Sequence, residues 1–293
     1  MAGGWRDKKF KKRQIKYMEI RFTQSPAETA SMQTEALRTN FLISNLFKDN
    51  TINLTYTHYD RVIIGGVKPV NETVILPNPS ELRAEYFLER REMGIINVGG
   101  KGKVIADGVT YTISKMDCLY LGKGTKEVSF ISEEGRQPAL FYLLSAPAHH
   151  SYPAAICTKQ DAQPVELGAV ATSNKRTVYK YIHLEGIKSC QLVMGLTVLE
   201  EGSVWNSVPP HTHTRRMEVY FYFDLPEEHR VFHFMGELQS TKHIVMANHE
   251  ATISAPWSTH FGCGTSNYGF IWGMAGENLV YTDMDPAPIN TLA

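Results

Sequence analysis

Past about residue 100 the hydrophobic positions come in short runs, dense in β-branched and aromatic residues and punctuated by Gly, Asp and Lys. "VIADGVTYTI", "CLYLG", "KEVSFIS" and "ALFYLLS" form one such series. This pattern predicts the short strands of an antiparallel sandwich or barrel. A second series, "CQLVMGLTVL", "MEVYFYF", "RVFHFMG", "HIVMA", "ATISAP" and "YGFIWGMAG", fills the last third of the chain. Between them, "SAPAHHSYPAAICTKQDAQPVELGAVATSNKRT" is rich in Pro, Ala and polar residues, which suits a linker between two β domains. The best helical periodicity is early, in "SPAETASMQTEALRTNFLISNLF", with Ser25 as an N-cap candidate and Leu37, Phe41 and Leu42 at helix-like spacing. The expected organisation is a basic leader over 1–17, a first β domain over 18–150, a linker over 151–175 and a second β domain over 176–293.

The halves read as degenerate copies of one unit. "ERREMGIINVGG" in the first resembles "TRRMEVYFYF" in the second, and each opens a run of short strands.

Composition narrows the function. The chain has 293 residues, 43 % of them hydrophobic, enough for one large core or two smaller ones. Thirty basic residues balance thirty acidic ones, so no global field favours nucleic acid or an anionic membrane, and no basic reading face is visible. A small or protein partner is expected. Cys118, Cys157, Cys190 and Cys263 form no C-x-x-C pair and read as free thiols. No apolar run approaches the roughly 20 residues needed to cross a bilayer, and the N-terminus lacks a secretory h-region, so the expected location is the cytoplasm. The leader "MAGGWRDKKFKKRQIKY" reads as a mobile extension before a second possible start at Met18.

The candidate chemistry lies in "PPHTHTRRMEVYFYF", residues 209–223. His211 and His213 stand two apart and share one strand face. Alternation sets Arg216, Glu218, Tyr220 and Tyr222 on a common face, and a turn near Thr214 and Arg215 returns Glu218 to the histidines. Imidazole nitrogen and carboxylate oxygen are ligands for divalent first-row metals. A fourth donor is available in "SAPWSTHFGCG", where His260 sits at a strand end. The other histidines, His149, His150, His183, His233, His243 and His249, read as surface, linker or core residues.

This arrangement resembles the cupin superfamily, whose small jelly-roll barrels hold a metal with H-x-H-x(3,4)-E and a later His. The family's glycine six positions beyond the Glu is absent here, and its second motif appears only as "APWSTH". In the first half Glu85 and Phe87 stand where the paired histidines belong, Glu92 is the repeat's glutamate and Glu127 replaces the last histidine, so this barrel is expected to hold no metal.

A closer resemblance runs from about Met18 to the end through "RVIIGGVKPV", "YFLERREMGIINVGGKG", "LYLGKGTKEV", "APAHHSYP", "PPHTHTRRMEVYFYF", "KHIVMANHEATISAPWSTH" and "FIWGMAGEN". In these motifs the chain is similar to the 5-keto-4-deoxyuronate isomerases, a bicupin family. The resemblance implies two tandem cupin-like β-barrels and one Zn2+ per chain at His211, His213, Glu218 and His260. It also implies a homohexamer and a ketol isomerisation of a small acidic keto-sugar in pectin breakdown. For the substrate carboxylate Arg216 is the first candidate, with Arg176 and Lys180 next; Tyr220 and Tyr222 are the acid–base candidates. Two other functions fit the same residues: a 5-deoxyglucuronate-type isomerase of inositol catabolism, and a non-catalytic sugar-binding cupin.

Overall fold

The computed structural model describes residues 18–293, and the leader over 1–17, read as mobile, lies outside the described residues. The fold is mainly β, with two barrels that repeat one topology. In the first barrel a seven-stranded sheet runs in the order Met18–Arg21, Thr51–Thr57, Ile63–Lys68, Phe141–Pro147, Arg91–Asn97, Cys118–Leu121, Ala155–Cys157. It faces a four-stranded sheet of Val74–Ile75, Val128–Ser132, Gly102–Ala106 and Val109–Ile113. In the second barrel the long sheet runs Val165–Leu167, Arg176–Ile182, Val193–Leu199, Gly269–Gly276, Arg216–Phe223, Ala251–Ser254, Leu42–Ile43. Its partner sheet is Trp205–Asn206, Thr259–Gly264, Val231–Glu237 and Ser240–Met246.

The halves are not separate along the chain. Leu42–Ile43, from the first half, adds to the edge of the second barrel's sheet by pairing with Ala251 and Thr252. Strands also form inside the expected linker: Ala155–Cys157 joins the first sheet and Val165–Leu167 the second. The helical stretch is two helices, Pro26–Ser31 and Thr34–Phe41, interrupted by extended Met32 and Gln33. Ser25 does cap the first. Its hydroxyl accepts from the Glu28 amide while Glu28 reaches back to the Ser25 amide, a complete capping box. Arg38 of the second helix donates to the Val245 carbonyl at 2.8 Å, which ties it to the second barrel.

The long sheets pack against each other, and this explains why their central strands are apolar on both faces. All eight residues of Arg216–Phe223 are buried. Glu218, Tyr220 and Tyr222 point into the second barrel; Phe221 points to the first, where its ring stacks on Tyr142 at 4.6 Å. The approach is close enough that a Cβ on Gly94 would fall 2.5 Å from Met194 Sδ.

The glutamates of the two repeats are offset by one: Glu92 follows its paired arginines directly, Glu218 one residue later. The strands begin at Arg91 and Arg216, so the residue matching Glu218 is Met93, which packs in the first barrel's own core. Glu92, expected to take the metal glutamate's place, points the other way. A one-residue slip flips a side chain to the opposite face. Glu92 lies fully buried between the barrels and accepts the amides of Cys190 (2.7 Å), Gln191 (2.9 Å) and Leu192 (3.0 Å) and the Tyr120 hydroxyl (2.8 Å).

Candidate metal centre

Three separate pieces of the second barrel build the site. Arg216–Phe223 supplies Glu218 and Thr259–Gly264 supplies His260. The short strand His211–Thr212 supplies His211 and leads into the turn that carries His213. One ligand atom from each of His211, His213, Glu218 and His260 lies within 4.8 Å of the others. His213, Glu218 and His260 are buried, and His211 sits at the cavity wall.

Hydrogen bonds at the back of two rings set which nitrogen faces the centre. His213 Nδ1 lies 3.0 Å from the Arg216 carbonyl and His260 Nδ1 lies 3.2 Å from the Ser258 carbonyl. A carbonyl only accepts, so each Nδ1 carries the proton and each Nε2 presents a lone pair. Both lone pairs meet the carboxylate: His213 Nε2 and His260 Nε2 stand 2.9 and 2.7 Å from Glu218 Oε2, and His211 Nε2 stands 3.1 Å from His260 Nε2. Two ring lone pairs aimed at one carboxylate oxygen, with no proton between them and it, are repulsive unless a cation lies among them. The donor set therefore fits a divalent ion held by three imidazoles and one carboxylate.

The electrostatics agree. Burial pushes His211 down to about 3, and His260 acts in the same direction against the pull of Glu218, so the imidazole stays neutral at neutral pH. For Glu218, burial raises the pKa and positive charge at His260 and His213 lowers it by more, so positive charge among these ligands, which a bound cation also supplies, holds the carboxyl below its usual range. A neutral His211 and an ionised Glu218 are the protonation states that metal binding requires.

A cavity of about 250 Å³ opens beside His211 and Glu218, with Arg176, Ser207, Tyr220 and Tyr281 on its walls. Of the two tyrosine candidates, Tyr220 reaches it, and its hydroxyl shares a 2.7 Å hydrogen bond with Ser207 Oγ. Burial raises the Tyr220 pKa well above the usual phenol range, with Glu218 adding to it, so the hydroxyl keeps its proton. Tyr222 is buried behind, its hydroxyl 2.8 Å from His233 Nδ1, and does not line the cavity.

The basic candidates also separate. Arg176 lines the cavity, with Nη1 donating to the Asn174 carbonyl at 2.9 Å. Lys180 lies outside, its Nζ 5.3 Å from the centre of the Tyr281 ring. Arg216, expected to grip the substrate carboxylate, does not reach the cavity. Its guanidinium is fully buried and donates to the Val280 carbonyl at 2.8 Å, the Asp283 carbonyl at 3.2 Å, and Asn278 Oδ1 and the Tyr281 carbonyl, both at 3.4 Å. Alternation gave its side of the sheet correctly, but not the segment that covers it.

That segment is a site component the sequence did not reveal. Arg215 holds it too, through Asp283 and Asp285. It carries Tyr281 into the cavity, and Asp285–Pro286 pairs with His211–Thr212. The Arg215–Arg216 clasp therefore positions His211, a candidate metal ligand, from behind. Arg216→Lys keeps the charge but loses the planar fork, and should weaken metal binding about tenfold or more, the low end for loss of such support. Chelator competition measures it; unchanged affinity would show that His211 is held without the clasp.

Comparison with known proteins follows the same lines. The chain matches the model of the KduI/IolB family over residues 42–289. It is 53 % identical over 268 residues to a 4-deoxy-L-threo-5-hexosulose-uronate ketol-isomerase of Halalkalibacterium halodurans, covering 92 % of this chain and 97 % of that one. The counterpart of the same name in Formosa agariphila is 53 % identical over 274 residues, 94 % of this chain and 98 % of that one. Among solved structures, an IolB-like protein from Salmonella typhimurium superposes with a TM-score of 0.66 at 16 % identity, over 85 % of this chain and 97 % of that chain. Bacillus subtilis oxalate decarboxylase, a protein with Mn(II) centres, gives 0.52 at 11 % identity over 75 % and 70 %. These two show the shared barrel fold, while identity above one half over nearly full length makes this chain an enzyme of the ketol-isomerase class. Fold, clustered donors and full-length similarity agree that the chain belongs to the KduI/IolB family.

Proposed function

We propose that the enzyme converts 4-deoxy-L-threo-5-hexosulose uronate (5-dehydro-4-deoxy-D-glucuronate) to 3-deoxy-D-glycero-2,5-hexodiulosonate in pectin and galacturonate catabolism, using one Zn2+ per chain. The observation that carries the metal is the convergence of three imidazoles and one carboxylate on a single point; the substrate is carried by the full-length similarity to isomerases of that name. The same family resemblance is the support for a cytoplasmic homohexamer. Among the described residues no helix is long and apolar enough to cross a membrane.

The reaction moves a carbonyl from C1 to C2. One proton leaves C2, one is delivered to C1, and negative charge develops on the two oxygens between these events. Zinc held by His211, His213, Glu218 and His260 supplies Lewis-acid polarisation of the carbonyl without redox chemistry. Tyr220, which keeps its proton at the cavity wall, is placed to donate a hydrogen bond to a substrate oxygen that gains charge. Arg176 is the guanidinium that lines the cavity and takes the carboxylate role first given to Arg216. Trp272, Phe270 and Met274 form the apolar wall that limits water at the reacting carbons.

Two assays follow. Incubating the enzyme with the unsaturated uronate should give the hexodiulosonate by NMR, activity should fall with chelator and return with zinc, and 5-deoxyglucuronate should react poorly. Turnover of 5-deoxyglucuronate alone would move the enzyme to the inositol branch, and binding without turnover of either would make it a sugar-binding cupin. Arg176→Lys should raise KM about tenfold with kcat little changed, because a contact equal in ground and transition states is lost as binding. An unchanged KM would remove Arg176 from the carboxylate.

A further inference from the structure

The matching mouth of the first barrel is hollow as well, and its chemistry is cationic. A cavity of about 390 Å³ lies there with Arg61, Arg90 and Arg91 on its walls, beside Tyr56, His58 and Glu81. Arg91 opens its strand as Arg216 opens its own, but what covers it differs. Arg91 Nε donates to Ser145 Oγ at 3.1 Å, and Nη2 donates to the carbonyls of Arg61 and Ser145 at 2.7 and 2.8 Å. Nη1 has no hydrogen-bond acceptor among the described residues. The guanidinium is thus held at its back by neutral groups, and the residue is only 7 % exposed. Burial lowers its pKa to about 10; Tyr56 acts against that and Arg61 with it.

The neighbouring guanidiniums are not neutralised either. Arg90 Nη2 donates to the carbonyls of Leu82 and Arg83, both at 2.7 Å. None of the three arginines forms an ion pair among the described residues. Glu81, the one carboxylate on the wall, accepts from Ser80 Oγ at 3.3 Å. Three cations facing one anion around a concave space, one of them buried with a free N–H, is the arrangement that recognises a carboxylate or phosphate through charge-assisted hydrogen bonds. The volume is in the range of small-ligand pockets and admits a sugar-sized acid.

We propose that this cavity is a second, metal-free binding site for a small oxyanion, seated against Arg91 Nη1 with Arg61 and Arg90 at its rim. The ligand chemistry is one carboxylate or phosphate group, carried by an acidic sugar or free in solution. The site does not depend on the reaction proposed above.

Calorimetric titration of the full-length protein with galacturonate and, separately, with inorganic phosphate tests this at constant ionic strength. His211→Ala/His260→Ala combined with Arg176→Gln removes the metal and the guanidinium that hold a uronate at the metal end, and should retain binding at the arginine cavity. In that background Arg61→Gln, an exposed residue whose side chain makes no hydrogen bond among the described residues, should weaken the remaining affinity several-fold. Arg61→Gln with Arg90→Gln should weaken it about tenfold or more, the loss of roughly 1.4 kcal/mol. Binding of galacturonate alone assigns an acidic sugar, and of phosphate alone a phosphate; binding of both assigns a general oxyanion site. No binding of either anion, binding indifferent to Arg61→Gln, or binding that vanishes with the two histidines and Arg176 would overturn the proposal.

Discussion

An enzyme with His211 and His260 both changed to alanine is expected to lose its metal on dialysis and to turn over about 10³-fold more slowly. Removing both leaves His213 and Glu218 as the surviving pair of the original donors, too few for a closed first shell. Lewis-acid stabilisation is worth several kcal/mol at the transition state, and each 1.36 kcal/mol is tenfold in rate, which gives about three decades. The fold should survive, because His260 sits in a strand whose ladder is unchanged and His211 lies at the cavity wall. Elemental analysis and steady-state kinetics read the two effects. A double variant that keeps a full metal equivalent would remove both histidines from the first shell.

The second large effect concerns stability rather than chemistry. Glu92→Ala leaves the buried Leu192 amide, the half-buried amides of Cys190 and Gln191, and the buried Tyr120 hydroxyl without their acceptor. An orphaned buried donor costs about 1–3 kcal/mol, so the variant should lose about 4 kcal/mol or more. At about 2 °C per kcal/mol for a chain of this size, the melting temperature should fall by roughly 8 °C. Glu92→Gln retains one acceptor oxygen and should fall between the variant and the parent. The four candidate metal ligands are untouched, so the folded variant should still bind one ion. A melting temperature equal to the parent's would mean that the amides of 190–192 find other acceptors and that Glu92 does not hold the barrels together.

These two glutamates show what the sequence made legible and where it stopped. Glu218 could be read because its signals are local: two histidines at strand spacing, a turn, then strict alternation into a barrel. Glu92 could not, since matching the two halves by their glutamates slips the register by one: the paired arginines and the strands align, but Glu92 follows the arginines directly and Glu218 follows one residue later. At a period of two that offset decides the face, and backbone pairing rather than side-chain similarity fixes it. Arg216 failed for a different reason. Alternation gave its direction, but its partners are the backbone carbonyls of Val280, Tyr281 and Asp283 and the Asn278 side chain, in an irregular segment with no periodicity to read. The exchange of Leu42–Ile43 into the second sheet was hidden for want of length, because two residues carry no pattern. The two-barrel architecture was legible from the strand series, whereas the way the barrels share their edges follows from long-range pairing.

The central claim is that one divalent ion, held by His211, His213, Glu218 and His260, makes this barrel an isomerase. The most direct measurement is a titration of the metal-stripped enzyme with zinc, following conversion of the unsaturated uronate. Activity should rise from near zero in a straight line and break at one equivalent per chain, and the His211→Ala/His260→Ala variant should give no rise. Full activity before any metal is added, or a break at two equivalents, would contradict it.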